Sequence, residues 1–205
     1  MTATNNQEQE AKFYLGDLQG LEERLRRLGA QLRTPRIFEA NLRFDTPDGS
    51  LTRGRQALRL RQDEKIRLTY KGPAAMGEAV SIRPEIEFEV SSFDNTRAFL
   101  EALGFHVSVR YDKYRATYDL GSVEVVLDEL PFGDFAEIEG PNGETIQGAA
   151  AALGLDWGAR CIDSYLGLFD RLKATEGLAA ENLTFEEIKK KYPPEAFGLK
   201  AADAK

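Results

Sequence analysis

Short segments in which charged and apolar residues alternate recur along this chain, and they constrain its fold more than any other feature. In Glu85–Val90 every second residue is a glutamate, and the residues between them are apolar. Glu8–Tyr14 and Ile66–Lys71 follow the same period of two, which is the period of a β-strand with two different faces. One such strand is explained by a solvated face. A repeated set, each with charges of chosen sign, predicts a charged interior.

The charges that share strand faces form two chemical groups. The bases are Lys12, Arg59, Arg61, Arg67, Lys71, Lys113 and Arg115. The acids are Glu8, Glu10, Glu85, Glu87, Asp128, Glu137 and Glu139. Many short antiparallel strands of this kind predict an α+β fold, in which a β-barrel with a polar lumen carries its helices on the apolar outer surface. Unpaired buried charges are costly, so such a lumen must hold water, ion pairs, metal or ligand.

Apolar residues at helical spacing predict the covering helices. The predicted helices are Leu18–Leu28, Asp94–Leu103, Thr145–Leu153 and residues 160–172, and a further strand is predicted at Glu39–Asp45. A weaker helical pattern follows in the last 33 residues, so we divide the chain into a domain of residues 7–172 and a helical tail of residues 173–205. So short a helix should either dock or stay disordered. Docking across an end of the barrel and packing on an outer helix are both open.

Composition excludes several classes of protein. The 205 residues carry a net charge of −7, which argues against a nucleic-acid partner. Cys161 and His106 are the only residues of their types, which excludes a disulfide framework and a His-rich zinc site and argues against a Ser-His-Asp mechanism. No apolar run resembles a signal peptide or a membrane span, so we expect a cytoplasmic protein without a membrane partner.

The two groups of charges favour one kind of ligand. Arginine offers forked donors to phosphate oxygens, and lysine adds point charges, so the bases suit a polyphosphate. Carboxylates without histidine or thiolate suit a hard cation such as Mg²⁺ or Mn²⁺. Together they describe a cavity for a metal and a triphosphate.

A signature at the start of the chain and six ordered motifs after it carry a resemblance to a known family. The start, Glu8-x-Glu10-x-Lys12, resembles the ExExK signature of the CYTH superfamily, the triphosphate tunnel metalloenzymes. The motifs that follow in the same order are Leu58–Arg61, Tyr70–Pro73, Glu85–Glu87, Tyr111–Arg115, Leu127–Pro131 and Phe135–Gly140. The likeness extends to the pair Ser164-Tyr165 and ends near residue 172.

The resemblance implies a closed tunnel of eight antiparallel strands that binds a triphosphate and Mg²⁺ or Mn²⁺. Carried over residue by residue, the phosphate chain would be held by Lys12, Arg59, Arg61, Lys71, Lys113 and Arg115, with Glu85 and Glu87 also in the binding lumen. Metal would be held by Glu8 and Glu10 at one position and by Asp128, Glu137 and Glu139 at the other. The catalytic set would be Glu8, Glu10, Lys71 and Asp128. Arg67 would be an accessory contact or a structural ion pair.

The family performs two reactions on such a site. Hydrolases release orthophosphate from tripolyphosphate or an organic triphosphate, whereas class IV adenylate cyclases convert ATP to cyclic AMP and pyrophosphate. We expect a metal-dependent triphosphatase, with inorganic tripolyphosphate as the most economical substrate. A class IV adenylate cyclase is the first alternative, and a non-catalytic polyphosphate-binding module is the second. The residues do not specify an oligomeric state, and a homodimer is left open.

Overall fold

The fold is an antiparallel sheet closed into a ring. The computed structural model describes residues 7–73 and 81–204, except for the side chains of residues 7, 8 and 81. Its strands are β1 (Gln7–Leu15), β2 (Gln31–Asp45), β3 (Ala57–Gln62), β4 (Ile66–Lys71), β5 (Ser81–Glu89), β6 (His106–Leu120), β7 (Val123–Leu130), β8 (Gly133–Glu139) and β9 (Arg160–Cys161). Its helices are α1 (Leu18–Arg27), α2 (Ser50–Arg53), α3 (Phe93–Ala102), α4 (Gly143–Ala152) and α5 (Tyr165–Glu176), with 3₁₀ turns at Trp157–Ala159 and Pro194–Phe197.

Eight strands form the ring in the order β5-β4-β3-β2-β6-β7-β8-β1, and β1 pairs with β5 to close it. The N-terminal half of β1, Gln7–Glu10, pairs with β5, and Glu10–Leu15 pairs with β8. The short β9 lies against Lys12 and Phe13, on the part of β1 that β5 leaves uncovered. This arrangement confirms the predicted α+β barrel with helices outside.

Apolar residues on the outward strand faces pack under the helices. α1 contributes Leu21 and Leu25 and α4 contributes Ile146 and Ala150 to one core, which covers β1, β7 and β8. α3 places Leu100 on a smaller core over β2 and β3. α1, α3, α4 and α5 begin at side-chain caps, since Asp17, Ser92, Asn142 and Ser164 each accept a hydrogen bond from a backbone N–H of the first turn. The alternation predicted from the sequence therefore separates a charged lumen from apolar outer cores.

A third apolar cluster lies on the lumen side of three strands. Tyr14, Leu130 and Phe135 share strand faces with Lys12, Asp128 and Glu137, yet they are buried among apolar residues. We call this group the aromatic cluster; its other rings come from α5, from the turn after β7 and from the last 33 residues, and they include Phe132, Tyr165, Phe169, Tyr192 and Phe197. Along β1, β7 and β8, the charged residues of the lumen face are thus followed by a packed apolar region.

Residues 177–204 pack on the barrel without forming the predicted α-helix. Residues 181–190 are turns and a single bridge, in which Leu183 pairs with Tyr111 of β6. Leu183, Ile188 and Phe197 are buried in the aromatic cluster. The backbone is held by Tyr192 N donating to Phe132 O at 2.8 Å and by Ala202 N donating to Tyr14 O at 2.9 Å. Tertiary contacts therefore replace the helical hydrogen bonds that a short isolated segment cannot sustain.

Two further boundaries differ from the sequence prediction. β2 begins at Gln31 instead of Glu39, because residues 31–38 pair with the second half of β6 through two register shifts that disrupt alternation. α5 begins at Tyr165 and runs to Glu176, past the predicted end at residue 172. In the described part of the chain, no helix is long and apolar enough to span a membrane.

Candidate active site

A cavity of about 360 Å³ lies in the lumen of the ring. Eight bases line it, namely Lys12, Arg43, Arg59, Arg61, Lys71, Arg83, Lys113 and Arg115. Six acids also line it, namely Glu10, Glu85, Glu87, Glu124, Glu137 and Glu139. The remaining lining is hydroxylated or aromatic at Thr69, Tyr111, Ser164 and Tyr165 and aliphatic at Ala57, Val126 and Leu166. A space of this size and charge fits a small polyanion.

Eleven of the thirteen residues predicted for the site line this cavity. They are Glu10, Lys12, Arg59, Arg61, Lys71, Glu85, Glu87, Lys113, Arg115, Glu137 and Glu139. The side chain of Glu8 lies outside the described residues, so its predicted roles stay predictions. Asp128 is fully buried and does not reach the cavity surface.

Asp128 organises the bases around it. Its carboxylate accepts hydrogen bonds from Arg115 Nε at 2.6 Å, from Lys113 Nζ at 3.1 Å and from the Tyr165 hydroxyl at 2.8 Å. Arg115 Nη2 donates a second bond to the same carboxylate, which makes a bidentate pair. Because protein donors occupy both oxygens of Asp128, this geometry supports a positioning role for it, and its roles as metal ligand and catalytic acid stay predictions.

Lys12 and Glu137 form a buried ion pair on the neighbouring strands. Lys12 Nζ lies 3.1 Å from Glu137 Oε1 and 4.4 Å from the centre of the Tyr165 ring. Burial lowers the pKa of Lys12, but the carboxylates of Glu137 and Glu10 outweigh it and raise the pKa above its ordinary value. Lys12 is therefore a permanent cation in the cavity wall.

Glu39 is a buried acid that the sequence analysis did not select. Its carboxylate lies 3.4 Å from Lys113 Nζ and 3.5 Å from Arg61 Nη1. Burial raises the pKa of Glu39, but Lys113, Arg115 and Arg61 together lower it to about 2. Glu39 thus stays ionised and neutralises bases that would otherwise repel each other.

Arg59 and Arg61 extend from β3 into the lumen, as predicted. Arg59 Nη2 lies 3.5 Å from Glu87 Oε2 and 3.3 Å from Thr69 Oγ1. Arg61 lies 3.4 to 3.5 Å from Glu39, Glu87 and Asp63. Arg67 pairs with Asp63 at 2.8 Å, which is the structural ion pair that the sequence left open. Arg61 is therefore embedded in a network of acids, whereas Arg59 has a looser set of partners.

An acidic row crosses three neighbouring strands. Glu10 of β1 is the register partner of Glu139 of β8, and Glu139 is the partner of Glu124 of β7. All three line the cavity, and oxygen donors of this kind suit Mg²⁺ or Mn²⁺. Within the described residues, no three acidic, His or Cys side chains are gathered closely enough to hold a metal by themselves. Mg²⁺ commonly uses one or two carboxylates and completes its shell with water and substrate phosphates, so the row fits such an ion.

Five charged or aromatic lining residues were not selected by the prediction, namely Arg43, Arg83, Tyr111, Glu124 and Tyr165. The first four lie on the same strand face as the charged lumen residues of their own strands. The alternation that identified such residues could therefore have identified these four as well. Tyr165 is the first residue of α5, and no strand pattern marks it.

Comparison with known proteins agrees with this architecture. A family profile described as the CYTH domain matches residues 6–154. A sequence search of curated proteins finds no significant match. The structure of a candidate adenylate cyclase from Vibrio parahaemolyticus superposes with a TM-score of 0.72 at 22% identity, over 80% of this chain and 97% of that chain.

Two other solved structures show the same fold. The PH1819 protein from Pyrococcus horikoshii gives a TM-score of 0.64 at 28% identity, over 79% of this chain and 97% of that chain. HpAC1 from Hippeastrum, a candidate adenylyl cyclase described as having a dominant triphosphatase activity, gives 0.58 at 22% identity, over 80% and 95% of the two chains. With more than half of its length matched by the family profile and its lumen built as these motifs require, the chain belongs to the CYTH domain family.

Proposed function

We propose that this protein is a divalent-metal-dependent triphosphatase whose most economical substrate is inorganic tripolyphosphate. The observation that carries the proposal is the juxtaposition, in one cavity, of eight bases with an acidic row on β1, β8 and β7. The bases outnumber the lining acids by only two. A triphosphate carries several negative charges, so the protein alone leaves part of that charge uncompensated, and a metal cation supplies the rest.

In this proposal the bases bind and orient the phosphate chain. Arg59, Lys71 and Lys12 would contact its oxygens, and Arg115 and Lys113 would be held in place for the same purpose by Asp128. Glu10, Glu139 and Glu124, with Glu8 as a predicted addition, would hold the metal, which would supply charge stabilisation of the phosphoryl oxygens and activation of water. Because these groups are preorganised, they stabilise developing charge without reorganising during the reaction.

The proposed reaction is attack of water on the terminal phosphorus. A bond forms between the water oxygen and phosphorus, and the bond from phosphorus to the bridging oxygen breaks. The electron pair of that bond leaves with diphosphate, and a proton of the water passes to a carboxylate of the acidic row or to solvent. Positioning and charge stabilisation are thus the contributions expected of the protein.

The composition of the lining supports a hydrolase over a cyclase. A cyclase must hold adenosine so that its 3′-hydroxyl reaches the α-phosphorus, which calls for a flat apolar or aromatic slot. Among the described lining residues, the aromatic side chains are Tyr111 and Tyr165, whose hydroxyl groups contact Arg59 and Asp128. The apolar lining residues are Ala57, Val126 and Leu166, against fourteen charged ones. Two structural neighbours are described as candidate adenylate cyclases, so cyclic AMP is the product that the test must also measure.

The test is product identification with tripolyphosphate or ATP in the presence of Mg²⁺ or Mn²⁺. We expect orthophosphate and diphosphate from tripolyphosphate, loss of turnover in excess chelator, and an unchanged circular dichroism spectrum in that chelator. Undiminished turnover without metal contradicts the metal requirement. Binding of tripolyphosphate without turnover supports the binding-module alternative.

A further inference from the structure

Arg43 occupies the lumen face of β2 and has an unusual set of contacts. Its Nη2 donates to the backbone oxygen of Gln56 at 3.2 Å, and its Nε, like those of Arg59 and Arg61, is buried without a hydrogen-bond partner. In the described part of the chain, no carboxylate oxygen lies within 4.0 Å of the guanidinium nitrogens of Arg43, so it forms no ion pair. The side chain nevertheless lines the cavity. A partly buried guanidinium without a carboxylate is costly unless an anion approaches it.

The other bases of the cavity differ from Arg43 in this respect. Each has at least one acid within ion-pair distance, as in Lys71 with Glu85 at 3.2 Å and Arg83 with Glu10 at 3.6 Å. A ligand that binds these bases must compete with the acids that they already contact. Arg43 can receive an anion without breaking an ion pair.

The neighbours of Arg43 add to its positive surroundings. Arg59 is its register partner on β3, and like charges directly opposite each other on antiparallel strands are destabilising. Burial lowers the pKa of Arg43, and the charges of Arg59 and Arg83 also lower it, against the opposite effects of Tyr111 and Asp45. An anion between these side chains would relieve this repulsion.

The cationic side chains lie in two groups on opposite halves of the ring. Arg43, Arg59, Arg61, Lys71 and Arg83 extend from the half formed by β2 to β5. Lys12, Lys113 and Arg115 extend from β1 and β6 in the other half, where Lys113 and Arg115 pair with Asp128 and Lys12 pairs with Glu137. A linear inorganic polyphosphate has an ionised phosphate at each end, so it can satisfy both groups. An organic triphosphate has one end esterified, and it would place an uncharged group against one of them.

We propose that Arg43 is a specificity-determining residue that selects inorganic polyphosphates, with two free ends, over organic triphosphates. The proposal rests on the proposed function for the identity of the site, and it adds a residue and a substrate class to it. Arg43 would bind the end of the chain that lies opposite the Lys12, Lys113 and Arg115 group.

The experiment measures binding separately from turnover. Bis-methylene analogues of tripolyphosphate and of ATP contain no cleavable P–O–P bridge, and their affinities in Mg²⁺ are determined by calorimetry. Arg43→Met removes the charge and keeps most of the apolar stem, Arg43→Lys restores a charge, and Arg97→Met removes an exposed arginine of α3 that pairs with Glu101 outside the lumen.

For Arg43→Met we expect on the order of a tenfold or larger loss of affinity for the tripolyphosphate analogue, as for a contact to a charged group. The loss of affinity for the ATP analogue should be several times smaller. Arg43→Lys should recover part of the affinity for the tripolyphosphate analogue, and Arg97→Met should change the affinity for neither analogue. The melting temperature of the unliganded Arg43→Met protein should not fall, because the change relieves repulsion from Arg59.

An equal loss for both analogues, no loss for the tripolyphosphate analogue, or a wild-type protein without preference between them overturns the proposal. The outcome is independent of catalysis. If the wild-type protein releases no orthophosphate and Arg43→Met still selectively loses the tripolyphosphate analogue, the proposed function fails and the role of Arg43 stands.

Discussion

The hydroxyl of Tyr165 donates a 2.8 Å hydrogen bond to the carboxylate of Asp128. This contact connects the first turn of α5 to the bases of the cavity, because Lys113 and Arg115 bind the same carboxylate. Burial raises the pKa of Tyr165, and the charges of Asp128 and Glu137 raise it further, so the phenol stays protonated as a donor. The helix that follows the matched family region is thus part of the site's support.

We first predict that Asp128 contributes more to stability than Tyr165 does. Asp128→Ala removes the fully buried carboxylate that Lys113 and Arg115 share, leaves Lys113 with Glu39 and Arg115 with Glu137, and should lower the free energy of unfolding by about 3–5 kcal/mol. Tyr165→Phe removes one hydrogen bond to a charged group and should cost about 1–3 kcal/mol. Urea denaturation measures both. A near-neutral Asp128→Ala that lowers metal affinity alone would instead identify Asp128 as a metal ligand.

The second prediction concerns the acid stability contributed by Glu39. Its pKa is about 2 in the folded protein and near the ordinary 4.5 when unfolded, so its contribution is complete above pH 4.5 and is lost as the pH falls toward 2. The free energy of unfolding of wild type should therefore exceed that of Glu39→Gln most above pH 4.5. The difference between the two free energies of unfolding should decrease steadily as the pH falls below 4.5. A difference that is constant from pH 6 to pH 2.5 would show that Glu39 does not carry this charge interaction.

The third prediction separates two neighbouring arginines of β3. Arg59→Ala should weaken tripolyphosphate binding by on the order of tenfold to a hundredfold, because a charged contact to the ligand is lost. It should leave the melting temperature nearly unchanged, because the substitution removes the repulsion between Arg59 and Arg43, which lies directly opposite on β2.

Arg61→Ala should also weaken binding, but unlike Arg59→Ala it should destabilise the folded protein. Arg61 is buried and lies within 3.5 Å of three carboxylates, so its removal should cost about 3 kcal/mol. Thermal unfolding with and without tripolyphosphate measures both effects. If binding survives in both variants, the lumen is not the substrate site.

Alternation of charge along the strands predicts most of the site because side chains two residues apart share a face. The same rule applies to Glu39 and Arg43, which alternate with Ala40, Leu42 and Phe44, so these residues were within reach of the sequence. The sequence does not show which acids and bases meet across the ring. The burial of Asp128 beneath Arg115 and Tyr165 follows from tertiary packing alone.

The last 33 residues show where sequence patterns fail. Leu183, Ile188 and Tyr192 suggest a helix by their spacing, but the segment instead follows the edge of β6 and the aromatic cluster. Local propensity is weak in so short a stretch, and burial against the barrel determines its conformation.

The fourth prediction tests whether this segment is part of the folded unit. Leu183 is fully buried, so Leu183→Ala should lower the free energy of unfolding by about 2–5 kcal/mol. Leu103→Ala is the matched control, because Leu103 is 60% exposed and should change stability little. Equal, small effects in chemical denaturation would show that residues 173–205 are a separable appendage.

The central claim is that water attacks a terminal phosphorus in this lumen. The most direct measurement follows tripolyphosphate and ATP turnover in ¹⁸O-labelled water with Mg²⁺ or Mn²⁺, and identifies the products by ³¹P NMR and mass spectrometry. We predict orthophosphate that carries one labelled oxygen from solvent, with unlabelled diphosphate from tripolyphosphate. Cyclic AMP with unlabelled pyrophosphate, or no product from either compound, would contradict the account.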